Sequence, residues 1–466
     1  MKTQPESPRK TALSILGRLS GPADGEHSEN GYLNLLLDSA IKKSNPPLSD
    51  ADRGLLTLLT AGVTERRITL DYIIGQLSDR ETDRIDPRVL DILRMGIYQL
   101  RYADRIPVHA AIYETVELAP AGAKSFVNGI LRAYQRKADE IELPKRPDKP
   151  VLPEGDGLPK KERKAYNSAF NRFISVNYSL NPSLAARLTS AFGEDRAVEI
   201  AAAFFSAPRP TLRVNTLKTD REALSEKLRA EGFETAPTKD SPYGLKIVSG
   251  HGLPSAVREG LCFVQDEASQ ICGAVLDAQP GDRVIDVCSC PGSKAFSAAM
   301  QMKNRGEIIA CDIHSSKLPL IENGAKRNGI KIIKTVRRDS SEDFPGYAGK
   351  FDRIICDVPC SGFGVLAKKP ELRYKLPEVS AGLPELQYAI LSASAKMLKK
   401  GGRLVYSTCT LIPAENGCVT ERFLAEHPDF EASDFTVGDR KSENGMLTLT
   451  PDGGTDGFFI AAIERK

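Results

Sequence analysis

Apolar residues recur every three or four positions through the first 140 residues, with Leu55, Leu58, Leu59 and Val63 in one stripe and Leu90, Leu93, Ile97 and Leu100 in another. That spacing predicts amphipathic helices around a shared core. Pro87 and Pro107 stand where such helices begin or connect. A proline- and lysine-rich stretch follows, from Pro144-Lys145-Arg146-Pro147 through Pro153 and Pro159 to Lys160-Lys161. Its composition marks a linker over residues 141–165. A helical pattern returns over 166–205, then a strand at Thr211-Leu212-Arg213-Val214-Asn215 and a helix from Asp220. Beyond Gly281 the period changes. Short apolar runs such as Arg353-Ile354-Ile355-Cys356 and Arg403-Leu404-Val405-Tyr406 alternate with helical segments, which predicts βαβ units and a parallel sheet. Met446–Thr450 and Gly457–Ile463 read as a terminal hairpin around a glycine-rich turn. The expected architecture is multidomain: all-α over 1–140, a linker, a helical and small α/β segment over 166–275, and a Rossmann-like α/β domain over 276–466.

Composition narrows the function classes. A chain of 466 residues implies two to four domains. A net charge of +3 excludes a polycation, so a nucleic-acid partner would be held by local patches such as Arg66-Arg67 or Arg132 to Lys137. No apolar run approaches the roughly 20 residues of a membrane span. The polar start, Met1-Lys2-Thr3-Gln4-Pro5-Glu6, does not read as a signal segment, and a cytoplasmic protein is expected. All nine cysteines follow residue 260, without a Cys-x-x-Cys pair, which argues against both a disulfide scaffold and a zinc site. Cys262, Cys272, Cys311, Cys356 and Cys418 read as small packed residues.

Two other cysteines carry candidate chemistry. Cys360, in Asp357-Val358-Pro359-Cys360-Ser361-Gly362, and Cys409, in Tyr406-Ser407-Thr408-Cys409-Thr410, each follow a predicted strand. Open α/β sheets bind ligands beyond the carboxyl ends of their strands. Two thiols delivered there can supply a nucleophile and an acid/base group. A third strand, Asp282 to Val287, runs into Cys288-Ser289-Cys290-Pro291-Gly292-Ser293-Lys294 and a helix of small residues. Such a tight turn lets a ligand approach backbone N–H groups. Asp312 ends the next strand and is placed to accept from ribose hydroxyls, and Asp339 follows the one after and is placed near an adenine amino group. The triphosphate-binding and dinucleotide-binding glycine motifs are both absent, so S-adenosylmethionine is the expected cofactor.

The three motifs 288–294, 357–364 and 406–409 resemble those of the Sun-family RNA cytosine-5 methyltransferases, with support from Leu212-Arg213-Val214-Asn215, Val264 to Ser269 and Glu415-Asn416. Pro107 to Glu114 and Phe126 to Arg132 resemble the RNA-binding factor NusB. The resemblance implies that Cys409 is the nucleophile, that Cys360 assists proton loss and enzyme release, and that Asp357 holds the cytosine edge with Lys294 near the base. It implies cofactor contacts from Cys288 to Lys294, and from Asp312, Asp339 and Asp357. Ser289, Cys290 and Ser293 depart from the family's two alanines and a glycine, and Gly417 stands where a second glutamate is usual. The layout implies a monomeric enzyme acting on small-subunit (16S) ribosomal RNA, with no DNA, membrane or metal partner. A methyltransferase of tRNA or large-subunit RNA, and a non-catalytic antitermination or assembly factor, are the alternative readings. Lys368-Lys369, Arg373-Tyr374 and Lys375 are expected to form a basic, aromatic loop that handles an unstacked base.

Overall fold

A computed structural model describes residues 7–20, 32–150, 159–206, 209–376 and 380–466. Met1–Glu6 and Pro153 of the readings above lie outside them. The chain divides into two compact units, Met1–Ser206 with Leu366–Leu376, and Ala207–Val365 with Pro377–Lys466.

The regular structure of the first unit's described residues is all helical, with no strand. Helix Pro87–Tyr102 is buried from Val89 to Gln99, starts on Pro87, and is capped by the Asp86 carboxylate, which accepts from the N–H groups of Arg88 and Val89. Its neighbour Asp50–Glu65 buries Leu56, Leu59, Thr60 and Val63, while Leu58 is exposed. The expected stripe was therefore off by part of a turn, because adjacent leucines at 55–56 and 58–59 leave the phase of a 3.6-residue period open. The segment read as a linker is irregular through residue 150 and helical from Lys160, where Lys160–Tyr178 begins, followed by Pro182–Phe192 and Glu194–Ala203.

The stretch Leu366–Leu376 corrects the reading of a free, base-handling loop. It belongs to the first unit, and its Arg373 side chain is fully buried. The guanidinium donates to the carbonyls of Tyr178 (2.9 Å) and Phe204 (2.7 Å) and lies 4.6 Å from the Phe205 ring. The Tyr374 hydroxyl accepts from the Arg67 N–H at 2.9 Å, meets Ser179 Oγ at 3.1 Å and donates to the Thr64 carbonyl. A planar cation and a phenol have the same composition whether they stack on a base or plug helix-end carbonyls; here the carbonyls claim them.

The second unit holds two sheets. Strands β1 (Thr211–Val214), β2 (Glu234–Pro237), β3 (Gly244–Ser249) and β4 (Cys262–Val264) form an antiparallel sheet in the order β2-β3-β1-β4. The larger sheet contains β5 (Arg283–Asp286), β6 (Glu307–Asp312), β7 (Ile333–Arg337), β8 (Phe351–Asp357), β9 (Leu398–Thr408), β10 (Phe430–Ala432), then, after the small pair β11 (Thr436–Val437) and β12 (Arg440–Lys441), β13 (Met446–Leu449) and β14 (Phe458–Arg465). Its order is β10-β14-β9-β8-β5-β6-β7, parallel from β9 to β7, with β14 antiparallel on β9 and β13 on β14. The expected terminal hairpin thus extends the sheet.

Neighbouring residues on each central strand point to opposite faces and into separate cores. Val284, Ile308, Ile355 and Val405 pack with helices Glu267–Leu276 and Ser293–Gln301. Ile285, Ile309, Ile354 and Leu404 pack with helices Leu383–Ala395 and Gly417–Glu426. Burial on both faces is why these strands read as continuous apolar runs. Among the described residues no helix is long and apolar enough to cross a membrane, and no group of three or more His, Cys, Asp or Glu side chains is placed to hold a metal.

Arg373→Ala strips donors from two carbonyls and is expected to destabilise the first unit by about 3 kcal/mol. Urea unfolding followed by far-UV dichroism measures this. Unchanged stability together with weakened RNA binding would restore the base-handling role.

Candidate active site

Parallel pairing delivers the site residues to one edge. Asp286 ends β5, Asp312 ends β6, Asp357 ends β8, and Ser407 is the second-last residue of β9, directly opposite Asp357 in register. The loops beyond are stitched together: Ser289 N–H donates to the Cys311 carbonyl (2.7 Å), Arg338 N–H to the Asp312 carbonyl (3.0 Å), and Ser340 Oγ to the Val287 carbonyl (2.6 Å). The residues expected to hold the cofactor therefore share one edge of the sheet.

Asp357 is held from two sides. Lys294 Nζ donates to Oδ2 at 2.6 Å and Ser407 Oγ donates to Oδ1 at 2.6 Å. Lys294 is buried and also lies 5.1 Å from the Phe458 ring. Burial alone would lower its pKa, but the Asp357 carboxylate outweighs that effect and raises it, so the ammonium persists. Asp286 is 1% exposed, and neither of its carboxylate oxygens has a hydrogen-bond partner of good geometry. Burial, with the charge of Asp357 second, pushes its pKa from 3.8 to about 7.

The two cysteines meet. Cys360 Sγ and Cys409 Sγ are 3.0 Å apart, and the Cys409 N–H donates to Cys360 Sγ at 3.2 Å. Both are free thiols, the separation being well beyond the ~2.05 Å of a covalent S–S bond. The hydrogen bond with Cys409, and then burial, hold the Cys360 thiol well above its usual pKa, so it stays protonated. Glu415 fastens the first cysteine loop, accepting from Ser361 N–H (2.8 Å) and from Gln387 Nε2 (3.1 Å), which also donates to the Pro359 carbonyl (2.9 Å). Asn416 fastens the second, bonding Thr408 Oγ1 (2.5 Å) and the Thr410 carbonyl (3.0 Å). Gly364 lets the loops close: its N–H donates to the Cys409 carbonyl, and a Cβ there would lie 1.9 Å from the Gly457 carbonyl oxygen. Cys262, Cys272, Cys311 and Cys356 are buried as expected, with burial raising the Cys272 thiol to about 11 and the Cys311 thiol to about 12. Cys418 is exposed, contrary to that reading, on the outer side of helix Gly417–Glu426.

The loop after β5 suits an uncharged nucleoside with a cationic appendage. Gly292 carries the left-handed turn (φ 104°), while Ser293 begins the helix Ser293–Gln301, so serine in place of glycine at 293 brings no strain. The unpartnered buried oxygens of Asp286 and Ser289 leave acceptor capacity at this turn. Asp312 Oδ1 accepts from His314 N–H (2.8 Å), and Asp339 Oδ1 accepts from Ser341 N–H (2.9 Å) and Oγ (2.6 Å). These turns orient both carboxylates, and each retains lone pairs for a ligand. Sequence reasoning assigned no role to Asp286, Ser407 or Gln387. An acid directly after Val284-Ile285 was a readable sign of a buried carboxyl; Gln387 had no local sign.

Comparison with known proteins agrees in extent. Residues 273–464 match the family described as 16S rRNA methyltransferase RsmB/F, residues 6–136 the NusB family, and residues 183–252 the ferredoxin-like domain of RsmF/B-like methyltransferases. The Bacillus subtilis (strain 168) protein named probable ribosomal RNA small subunit methyltransferase B is 36% identical, covering 99% of each chain. An Escherichia coli (O1:K1 / APEC) protein named ribosomal RNA small subunit methyltransferase B is 32% identical, over 90% of this chain and 93% of its own. A solved structure from Pyrococcus horikoshii, titled a methyltransferase homolog, superposes with a TM-score of 0.56 at 28% identity, over 63% of this chain and 98% of its own.

Asp286 binds its proton more tightly folded than unfolded, so its contribution to stability is greatest in acid and is lost as pH rises towards about 7. From about pH 5 to about pH 8 this costs the chain about 3 kcal/mol that Asp286→Asn does not lose. Parallel melting curves of the two chains across that range test it; identical pH profiles would place the carboxyl in an ordinary, ionised state.

Proposed function

The chain belongs to the RsmB/F family of 16S rRNA methyltransferases, and on that premise we propose that it methylates carbon 5 of a cytosine through a covalent cysteine adduct at carbon 6, in the cytoplasm. The observation that carries this reading is the 3.0 Å approach of Cys360 and Cys409 beside the Lys294–Asp357 pair. Family membership makes S-adenosylmethionine the methyl donor. In this reading Cys288 to Lys294, Asp312, Asp339 and Asp357 hold it, and when bound it supplies an electrophilic methyl group.

Carbon 5 of cytosine is a weak nucleophile until the ring is opened to addition. The Cys409 thiolate adds to carbon 6 and turns the ring into an enamine nucleophilic at carbon 5. Asp357, whose oxygens keep free lone pairs beside Lys294 and Ser407, accepts from the N3/N4 edge and stabilises the protonated ring. Lys294 offsets the charge of the Asp357 carboxylate. After methylation the carbon-5 proton leaves with the help of Cys360, the carbon 6–sulfur bond breaks, and Cys409 is released. The raised pKa of Cys360 keeps its thiol from competing for carbon 6; in the adduct Cys409, the first cause of that rise, is tied up as a thioether, which lets Cys360 give its proton to solvent and then take the carbon-5 proton. The intact cluster also favours an enzyme over a vestigial fold in an assembly factor.

Cys409→Ala is expected to lower transfer of labelled methyl from S-adenosylmethionine to small-subunit rRNA by a factor on the order of 10⁴ or more. Cys360→Ala is expected to accumulate an RNA–protein adduct that survives denaturing electrophoresis. Full transfer by the first variant would remove Cys409 from its role, and absence of the adduct would remove Cys360 from its own. Bisulfite sequencing of ribosomal RNA from cells with and without the gene tests cytosine as the target.

A further inference from the structure

The first unit carries a groove of about 820 Å³, lined by helix Lys160–Tyr178 and the start of helix Pro182–Phe192. Lys160, Arg163, Lys164, Asn167, Asn171 and Arg172 form its helical wall. At 100° per residue these positions fall on one side of the helix, spread over roughly 180°. The opposite face is aromatic: Tyr166 stacks on Phe170, and Phe170 meets Phe173. The second wall is made of small or uncharged residues, Pro182, Ser183 and Ala186. No acid lines the groove, and the helix's single acid, Glu162, is turned roughly 200° from Lys160.

This is an unusual way to leave a surface helix. Elsewhere in the unit exposed cations sit against acids, as in Lys42–Asp38 (2.6 Å), Lys124–Glu117 (2.8 Å) and Lys149–Asp195 (3.4 Å). Among the described residues Lys160, Arg163 and Lys164 form no ion pair, although they are exposed. Like charges three and four residues apart disfavour a helix by a few tenths of a kcal/mol each. Arg172 is steadied by the Tyr72 ring, 5.7 Å from its guanidinium. From Lys160 to Arg172 the row is about 18 Å long, a length that meets several phosphates of one strand. Lys and Arg suit phosphate oxygens, and the amides of Asn167 and Asn171 suit sugar hydroxyls, a pairing that positions RNA without reading its sequence.

We propose that this groove binds the sugar–phosphate backbone of the substrate RNA at a distance in the chain from the target-base chemistry. The inference rests on the reading of the protein as an RNA methyltransferase. The helix lies within residues 137–182, between the NusB and ferredoxin-like matches, while Ser183 and Ala186 of the second wall fall at the start of the ferredoxin-like match.

Fluorescence anisotropy with a labelled small-subunit rRNA transcript, titrated across potassium chloride concentrations, tests it. The triple variant K160Q/R163Q/K164Q is expected to bind at least tenfold more weakly, with the slope of log K against log salt reduced by about 2, since each lost single-strand phosphate contact removes about 0.7. N167A/N171A is expected to weaken binding without changing the slope, and K160R/K164R to bind like the parent. In methyl transfer the triple variant should raise KM and leave kcat unchanged. Unchanged affinity and slope in the triple variant would overturn the proposal. So would loss of binding to phosphatidylglycerol vesicles with RNA binding intact, which would make the groove a membrane contact. The Cys409→Ala chain is expected to keep full RNA affinity, so failure of the groove and failure of the covalent mechanism give different results.

Discussion

The parallel register of β8 on β9 is the constraint from which the cysteine cluster follows. With Arg353 beside Arg403, the two strands stay paired to Asp357 beside Ser407, and the chain then leaves both strands at the same level. Cys360 comes three residues after Asp357 and Cys409 two residues after its paired Ser407, so this register brings the two loops within reach of each other. A one-residue slip would turn Asp357 or Ser407 to the opposite face and part the thiols. The two apolar cores on either side of the sheet hold that register, because each strand alternates its side chains between them.

Electrostatics at this edge form one coupled set. A buried ammonium, a carboxylate with both oxygens engaged and a second buried carboxyl share a small volume at the ends of β5 and β8. Burial, with the charge of Asp357 second, makes Asp286 hold its proton into the neutral range, while the Lys294 ammonium pairs with Asp357. The loops carrying the thiols are fastened by hydrogen bonds of Gln387, Thr408 and Asn416 and by the Glu415 carboxylate.

The fold class was readable because its signals are periodic and local. Helical spacing over the first 140 residues and apolar runs after Gly281 survived in the structure, and so did the hairpin at the carboxyl end. Readings failed where local pattern was degenerate. Paired leucines at 55–56 and 58–59 left the buried phase open, and the structure chose Leu56 and Leu59. Arg373 and Tyr374 looked like surface recognition groups, yet unfilled carbonyls at Thr64, Tyr178 and Phe204 took them inward.

Residue types and spacing alone determined that two thiols, a lysine and three acids would follow strands of one α/β sheet, because strand order and turn chemistry are written locally. Only the folded chain decided which of them touch. The sulfur contact, the clamp of Lys294 and Ser407 on Asp357, and the burial of Asp286 join residues 49 to 71 positions apart, far beyond the reach of any periodic signal. Such contacts are set by sheet register and by which groups lose water, and both are properties of the packed structure.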